Sequence, residues 1–240
     1  MARRSAVAMM ALLGAFLTPR TTQAGGSQCT GTSASAHVES TPETGILLDR
    51  IDGAHLRTWN AVWRIVSAKN RAGRILHPRL YGLWNEVAAS GHTVYIELSD
   101  HASMTKAGRF LVESVDPAGR RHIAVIRLNL PTIKSAYDGS AARRSDGWIP
   151  FEGLNANERF AEVLGHELAH AAKAFRDPEY WRSYLDLETE SHGLVFGNGG
   201  LTDDRGNDER LVRIAALTQR IEEPARAAEA EIWRELSQRR

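Results

Sequence analysis

The run His166-Glu167-Leu168-Ala169-His170 is an H-E-x-x-H pattern inside a stretch of helical periodicity over residues 158–175. At about 3.6 residues per turn, positions four apart stand one above the other on the same helix face. Two imidazoles so placed can share one metal ion, at about 2.0–2.1 Å each for Zn²⁺. Glu167 lies beside the first histidine, near that face but angled off the ion, where a carboxylate can act as general base toward a water held there. The pattern therefore demands a helix with an apolar back and a ligand side that meets a cleft. Phe160, Leu164, Leu168, Ala171 and Phe175 supply the apolar stripe. Asn155 or Asn157 can cap the start, and Asp177-Pro178 stops the helix. The bland alternative is an accidental histidine pair on a solvated face with Glu167 as ordinary surface charge; the helical context argues against it.

A catalytic zinc site usually has three protein ligands and an open fourth position. Lys173 and Arg176 stand where a metzincin would continue with Gly and His, which removes that pattern. Further on, the chain reads Asp186-Leu187-Glu188-Thr189-Glu190-Ser191-His192. Over roughly residues 157–194 this resembles the gluzincin arrangement of thermolysin-like and related zinc peptidases. There a Glu on a second helix is the third ligand, followed by a small residue three positions later and often an Asp at the fourth. The resemblance implies Glu188 as third ligand, with Ser191 at the small position and His192 in place of the Asp. His192 could still hold a zinc-bound imidazole by an outer hydrogen bond. Glu190 competes for the ligand role but faces roughly the opposite side of its helix, and His192 is a further alternative. Thermolysin-like enzymes also use a Tyr between the metal helices and a His well downstream. No His follows His192, which leaves Tyr180 and Tyr184 as the tyrosine candidates for substrate contact, or as packing residues.

The first 24 residues read as a signal peptide: Arg3 and Arg4, an apolar run over residues 6–17, then Thr22-Gln23-Ala24 as a small-residue cleavage site. The run is short for a transmembrane span, though an uncleaved anchor is the alternative. Cys29 is the only cysteine, so no internal disulfide can form. The chain has 30 Lys+Arg against 29 Asp+Glu; residues 1–24 carry three arginines and no acids, leaving 27 against 29. A near-neutral surface gives no electrostatic case for nucleic acid or for an anionic membrane.

Residues 25–44, rich in Gly, Ser and Thr, read as a flexible leader, and residues 45–240 as a single domain. Leu56, Trp59, Val62, Trp63 and Val66 mark one amphipathic helix, and Leu80, Leu83, Trp84 and Val87 a second, with the tryptophans favoured as core. Residues 93–98 and 122–130 alternate as strands, the second ended by Pro131. That second strand is the candidate edge on which an extended peptide would add by backbone hydrogen bonds. Residues 131–157 read as a long connection. The tail after Asn207 reads as helical with a break at Pro224 and a mixed-charge, solvated face. The expected fold is α+β: a zincin-like domain with a small sheet on the H-E-x-x-H helix and a helical C-terminal part.

Together these readings give an exported, periplasmic or secreted, zinc metallopeptidase acting on a peptide or protein. One Zn²⁺ is expected on His166, His170 and, as the resemblance implies, Glu188, with Glu167 as general base and no stable membrane insertion after signal cleavage. Two alternatives remain: a non-catalytic binding or structural module ordered by zinc, and a metal-free helical protein with an accidental motif.

Overall fold

The computed structural model describes residues 45–49, 51–100, 106–115, 122–137, 153–192, 196–197, 200–201 and 205–238. The expected signal peptide, leader and Cys29 lie outside these residues, as does most of the connection, 138–152. The element order is β1 (Ile46–Asp49), α1 (Gly53–Val66), α2 (Pro78–Ala88), β2 (Thr93–Ser99), β3 (Gly108–Val115), β4 (His122–Asn129), α3 (Leu130–Tyr137), α4 (Ala156–Arg176), α5 (Pro178–His192), a short hairpin of β5 (Phe196–Gly197) and β6 (Gly200–Leu201), and α6 (Arg205–Ser237). The fold is α+β, with helices around a small mixed sheet in the order β1-β2-β4-β3. β1, β2 and β4 run parallel, and β3 is antiparallel to β4 at the edge.

The sheet corrects the expectation for the edge. β4 lies between β2 and β3, and its Ala124, Val125, Ile126 and Leu128 are buried. Its polar residues have partners inside the fold. Arg127 bridges to Glu97 of β2 at 2.7 Å, and the Asn129 side chain accepts from the Thr132 backbone N–H at 3.1 Å as α3 begins. Among the described residues the edges are β1 and β3, and the edge beside α4 is β3, whose consecutive Phe110-Leu111-Val112 hides the period-two pattern. Pro131 does end β4, but it then opens α3, because proline suits the first turn of a helix. The expected loop is thus partly helical.

α4 is the centre of the molecule. Asn155 caps it by accepting from the N–H groups of Asn157 and Glu158, both at 3.0 Å, while Glu158 reaches back to the Asn155 N–H at 2.7 Å. Asp177 ends it and starts α5 by accepting from Glu179 N–H at 3.0 Å. Every other helix α1 to α6, together with β3 and β4, packs around α4. Close approach relies on small residues: a Cβ on Gly165 would meet Ile232 Cδ1 of α6 at 2.3 Å. Because α4 is buried on most sides, its polar residues cannot rest in water and must be paired. Arg159 and Glu162, one turn before His166, form a buried ion pair.

α6 runs along α4 on a stripe of Ile214, Ile221, Ala225, Ala228, Ile232 and Leu236. It is one continuous helix through Pro224, where the sequence predicts a break. Trp59, Trp63 and Trp84 cluster against the core, with ring centroids 4.7–6.5 Å apart. No described helix is long and apolar enough to cross a membrane.

Candidate metal centre and cleft

Three residues from two helices make the centre. His166 and His170 of α4 present their Nε2 atoms to one another at 3.1 Å. A carboxylate oxygen of Glu222, on α6, lies 3.3 Å from His166 Nε2 and 4.0 Å from His170 Nε2. Among the described residues this is the one group of three potential ligands within 4.8 Å of one another. Tetrahedral ligands about 2.0–2.1 Å from zinc stand roughly 3.3 Å apart, so the triangle is of the right size.

The other ring nitrogens decide which way the histidines face. His166 Nδ1 meets the buried Glu229 carboxylate of α6 at 3.2 Å. Glu229 follows Glu222 by two helical turns and therefore lies on the same side. His170 Nδ1 meets the Tyr180 hydroxyl at 3.0 Å, and that hydroxyl donates to the Ile221 carbonyl at 2.5 Å. With its proton so committed, the Tyr180 oxygen accepts from His170 Nδ1–H. Both Nδ1 atoms are thus donors, and both Nε2 lone pairs are turned toward Glu222 when the rings are neutral. This is the arrangement in which outer hydrogen bonds hold metal-binding imidazoles. The residue set fits a divalent metal.

Pro224, inside α6, leaves the Arg220 carbonyl one turn earlier without its usual helical partner. The next carbonyl, that of Ile221, receives the Tyr180 hydroxyl beside Glu222.

In the metal-free chain the centre carries its own charges. Burial works against the His166 cation, but hydrogen bonds to Glu222 and Glu229 raise its pKa well above the ordinary value. Glu222 is pushed far down despite burial, chiefly by its hydrogen bond to His166. His170 falls to about 3, from burial and from the neighbouring His166 charge. The two carboxylates thus favour a cation on His166, and that cation in turn disfavours a second one on His170.

Glu167 stands beside this group, 5% exposed, and burial lifts its carboxyl to about 7. The Phe110 backbone of β3 hydrogen-bonds to it. The fit is close: a Cβ on Gly108 would lie 2.5 Å from Glu167 Oε1 and 2.8 Å from Val163 Cγ1. Glycine at 108 is what lets the strand rest on the carboxylate. Asn129 N–H donates to Ala107 at 2.7 Å, so by alternation the polar backbone groups of Gly108, Phe110 and Val112 turn to the open edge. A cleft of about 90 Å³ runs between this edge, Glu167, His170 and Glu222, and the wall made by Tyr184, Leu187, Glu188 and Ile221.

The structure thus brings His166, Glu167 and His170 together as expected, but the carboxylate beside them is Glu222 instead of Glu188. Glu188 is exposed on α5 at the cleft wall and interacts with Arg109 of β3. Glu190 is held away by Arg213 at 3.0 Å and Arg210 at 3.7 Å. Tyr180 is buried behind His170, while Tyr184 lines the cleft, edge-on to His170 and Phe110. The His192 side chain lies outside the described residues. Glu222 and Glu229 escaped the sequence reading inside a mixed-charge segment. Their signal is two acids seven apart, in line with the apolar stripe of Ile221, Ala225, Ala228 and Ile232.

No family model, curated protein or solved structure matches the chain.

Proposed function

We propose that this chain is a zinc-dependent metallopeptidase of the gluzincin kind, with a zincin-like domain, and that its metal is held by His166, His170 and Glu222. The observation that carries the reading is the convergence of three ligand atoms, both imidazoles held from behind, next to a buried carboxylate at an open strand edge. A purely structural zinc site has no use for Glu167 in that place. The N-terminal pattern supports export as part of the same proposal.

When bound, zinc would supply a Lewis acid for the substrate carbonyl and lower the pKa of the attacking water. The chain's own residues do the rest. A peptide would lie along β3, pairing with the outward groups of Gly108 and Val112 and with the Phe110 carbonyl, while the Phe110 N–H holds Glu167. Glu167 takes the proton of the attacking water and then delivers it to the departing amine nitrogen. Burial raises its carboxyl in the metal-free chain, the direction that suits a group giving and taking a proton near neutral pH. The Phe110 backbone fixes that carboxylate, and the apolar wall of Leu187 and Ile221 keeps bulk water from it.

The test is Glu167→Gln, assayed for hydrolysis of casein and of a mixed quenched-fluorescent peptide library, with zinc measured on the same sample. The reading expects full zinc content and turnover reduced by about 100-fold or more, the upper part of the range for a lost general base. A wild-type chain that holds zinc but cleaves nothing would turn the reading into that of a zinc-ordered module.

A further inference from the structure

Hydrolysis of a peptide bond passes through an oxyanion, and a donor aimed at it is among the largest contributors to catalysis. The two tyrosines nearest the centre are committed elsewhere. Tyr180 donates to the Ile221 carbonyl, and Tyr184 is hydrogen-bonded to Tyr180. Two cations line the cleft among the described residues, Lys106 and Arg109. Arg109 stands opposite Arg127 in the sheet register and interacts with Glu188 first and with Glu167 second, but with neither His170 nor Glu222 in the same way as Lys106. Lys106 precedes β3 directly, where the chain is anchored by the Ala107 carbonyl and by the contact of Gly108 with Glu167. It lines the cleft together with Glu167, His170 and Glu222, and its charge acts on all three.

We propose that Lys106 is a catalytic residue, whose ammonium donates a hydrogen bond to the oxygen of the scissile carbonyl as negative charge builds on it. This rests on the hydrolase reading above. As a water oxygen lone pair forms the C–O bond, the carbonyl π pair moves to oxygen and the water proton goes to Glu167. On collapse the carbonyl re-forms, the C–N bond breaks, and the proton passes from Glu167 to the amine nitrogen. Lys106 donates a hydrogen bond and exchanges no proton in either step. The hydrogen bond to the oxygen strengthens as the oxyanion forms, so it contributes to kcat and not to ground-state binding. The ammonium charge also offsets Glu167 and Glu222 before substrate arrives.

The experiment compares wild type, Lys106→Met, Lys106→Arg and Arg109→Met, each loaded with zinc and checked for metal content and thermal midpoint. Kinetics use a fluorogenic peptide selected from the library, and calorimetry measures the affinity of a phosphinic peptide, whose tetrahedral anion mimics the oxyanion. The expected result is kcat lower by about 100-fold in Lys106→Met, the effect of removing one oxyanion donor. KM and zinc content stay near wild type, phosphinic-peptide affinity falls in parallel with kcat, and Lys106→Arg recovers part of both. Lys106→Met that keeps kcat within about threefold overturns the role while the hydrolase reading stands. The role is equally overturned if Arg109→Met shows the loss in place of Lys106→Met, or if Lys106→Met merely sheds zinc or unfolds and Lys106→Arg restores nothing. A wild-type chain that holds no zinc and cleaves nothing brings down both.

Discussion

Gly108→Ala is the smallest change that should separate catalysis from metal binding. The added Cβ would lie 2.5 Å from Glu167 Oε1, 2.9 Å from Glu167 Cγ and 2.8 Å from Val163 Cγ1. Ordinary contact begins near 3.4 Å, so strand and carboxylate must separate by about 0.9 Å, a shift of the size that can cost about 100-fold in rate. Glu167 has little room to yield, since it is buried and tied to the Phe110 backbone. Overpacking of this kind costs about 1–3 kcal/mol, and each kcal/mol lowers the midpoint by roughly 2–4 °C in a domain of this size. The nearest atoms belong to Glu167 and Val163 and not to His166, His170 or Glu222, so zinc affinity should hold. The assay is kcat on the selected fluorogenic peptide, beside zinc content and a melting curve. Retention of near wild-type kcat by a folded, zinc-loaded Gly108→Ala would refute the idea that Glu167 works where β3 holds it.

Two further outcomes follow from the same geometry. Glu229→Gln and Tyr180→Phe each weaken the hold on one imidazole, and zinc affinity measured by chelator competition should fall roughly 10–100-fold in each. Zinc must displace the proton on His166, whose pKa stands above its ordinary value, so affinity should fall as pH drops below that raised pKa, by up to about tenfold per unit. Calorimetry in buffers of different ionisation enthalpy should show the released proton, and an affinity flat from pH 8 to pH 6 would contradict the assignment.

What can be read from the sequence is what is local. The H-E-x-x-H helix, its Asn155 cap and its stop at Asp177 are written in neighbouring residues, and they stand as expected. The strand expected over residues 93–98 appears as β2 for the same reason. The edge is misplaced in the sequence because Arg127 and Asn129 look solvent-facing in one dimension, whereas Glu97 and the start of α3 satisfy them inside the fold. The third carboxylate is misplaced because the resemblance draws attention to the next helix, where Glu188 ends at the cleft wall. Glu222 comes from the helix after that, through a Pro224 that reads as a terminator yet sits within a continuous α6. A tertiary contact of this kind leaves only a faint mark: two acids on the apolar stripe of a helix otherwise rich in charge.

The central claim is that α6, and not α5, completes the metal centre. Its most direct test is zinc affinity by chelator competition in wild type, Glu222→Ala and Glu188→Ala, with circular dichroism to confirm folding. The account predicts a loss for Glu222→Ala beyond the roughly 10–100-fold that follows removal of an outer hydrogen-bond partner, and a Glu188→Ala affinity within about threefold of wild type, as expected for a residue that contacts no metal. The reverse order would return the ligand role to Glu188 and contradict the centre described here.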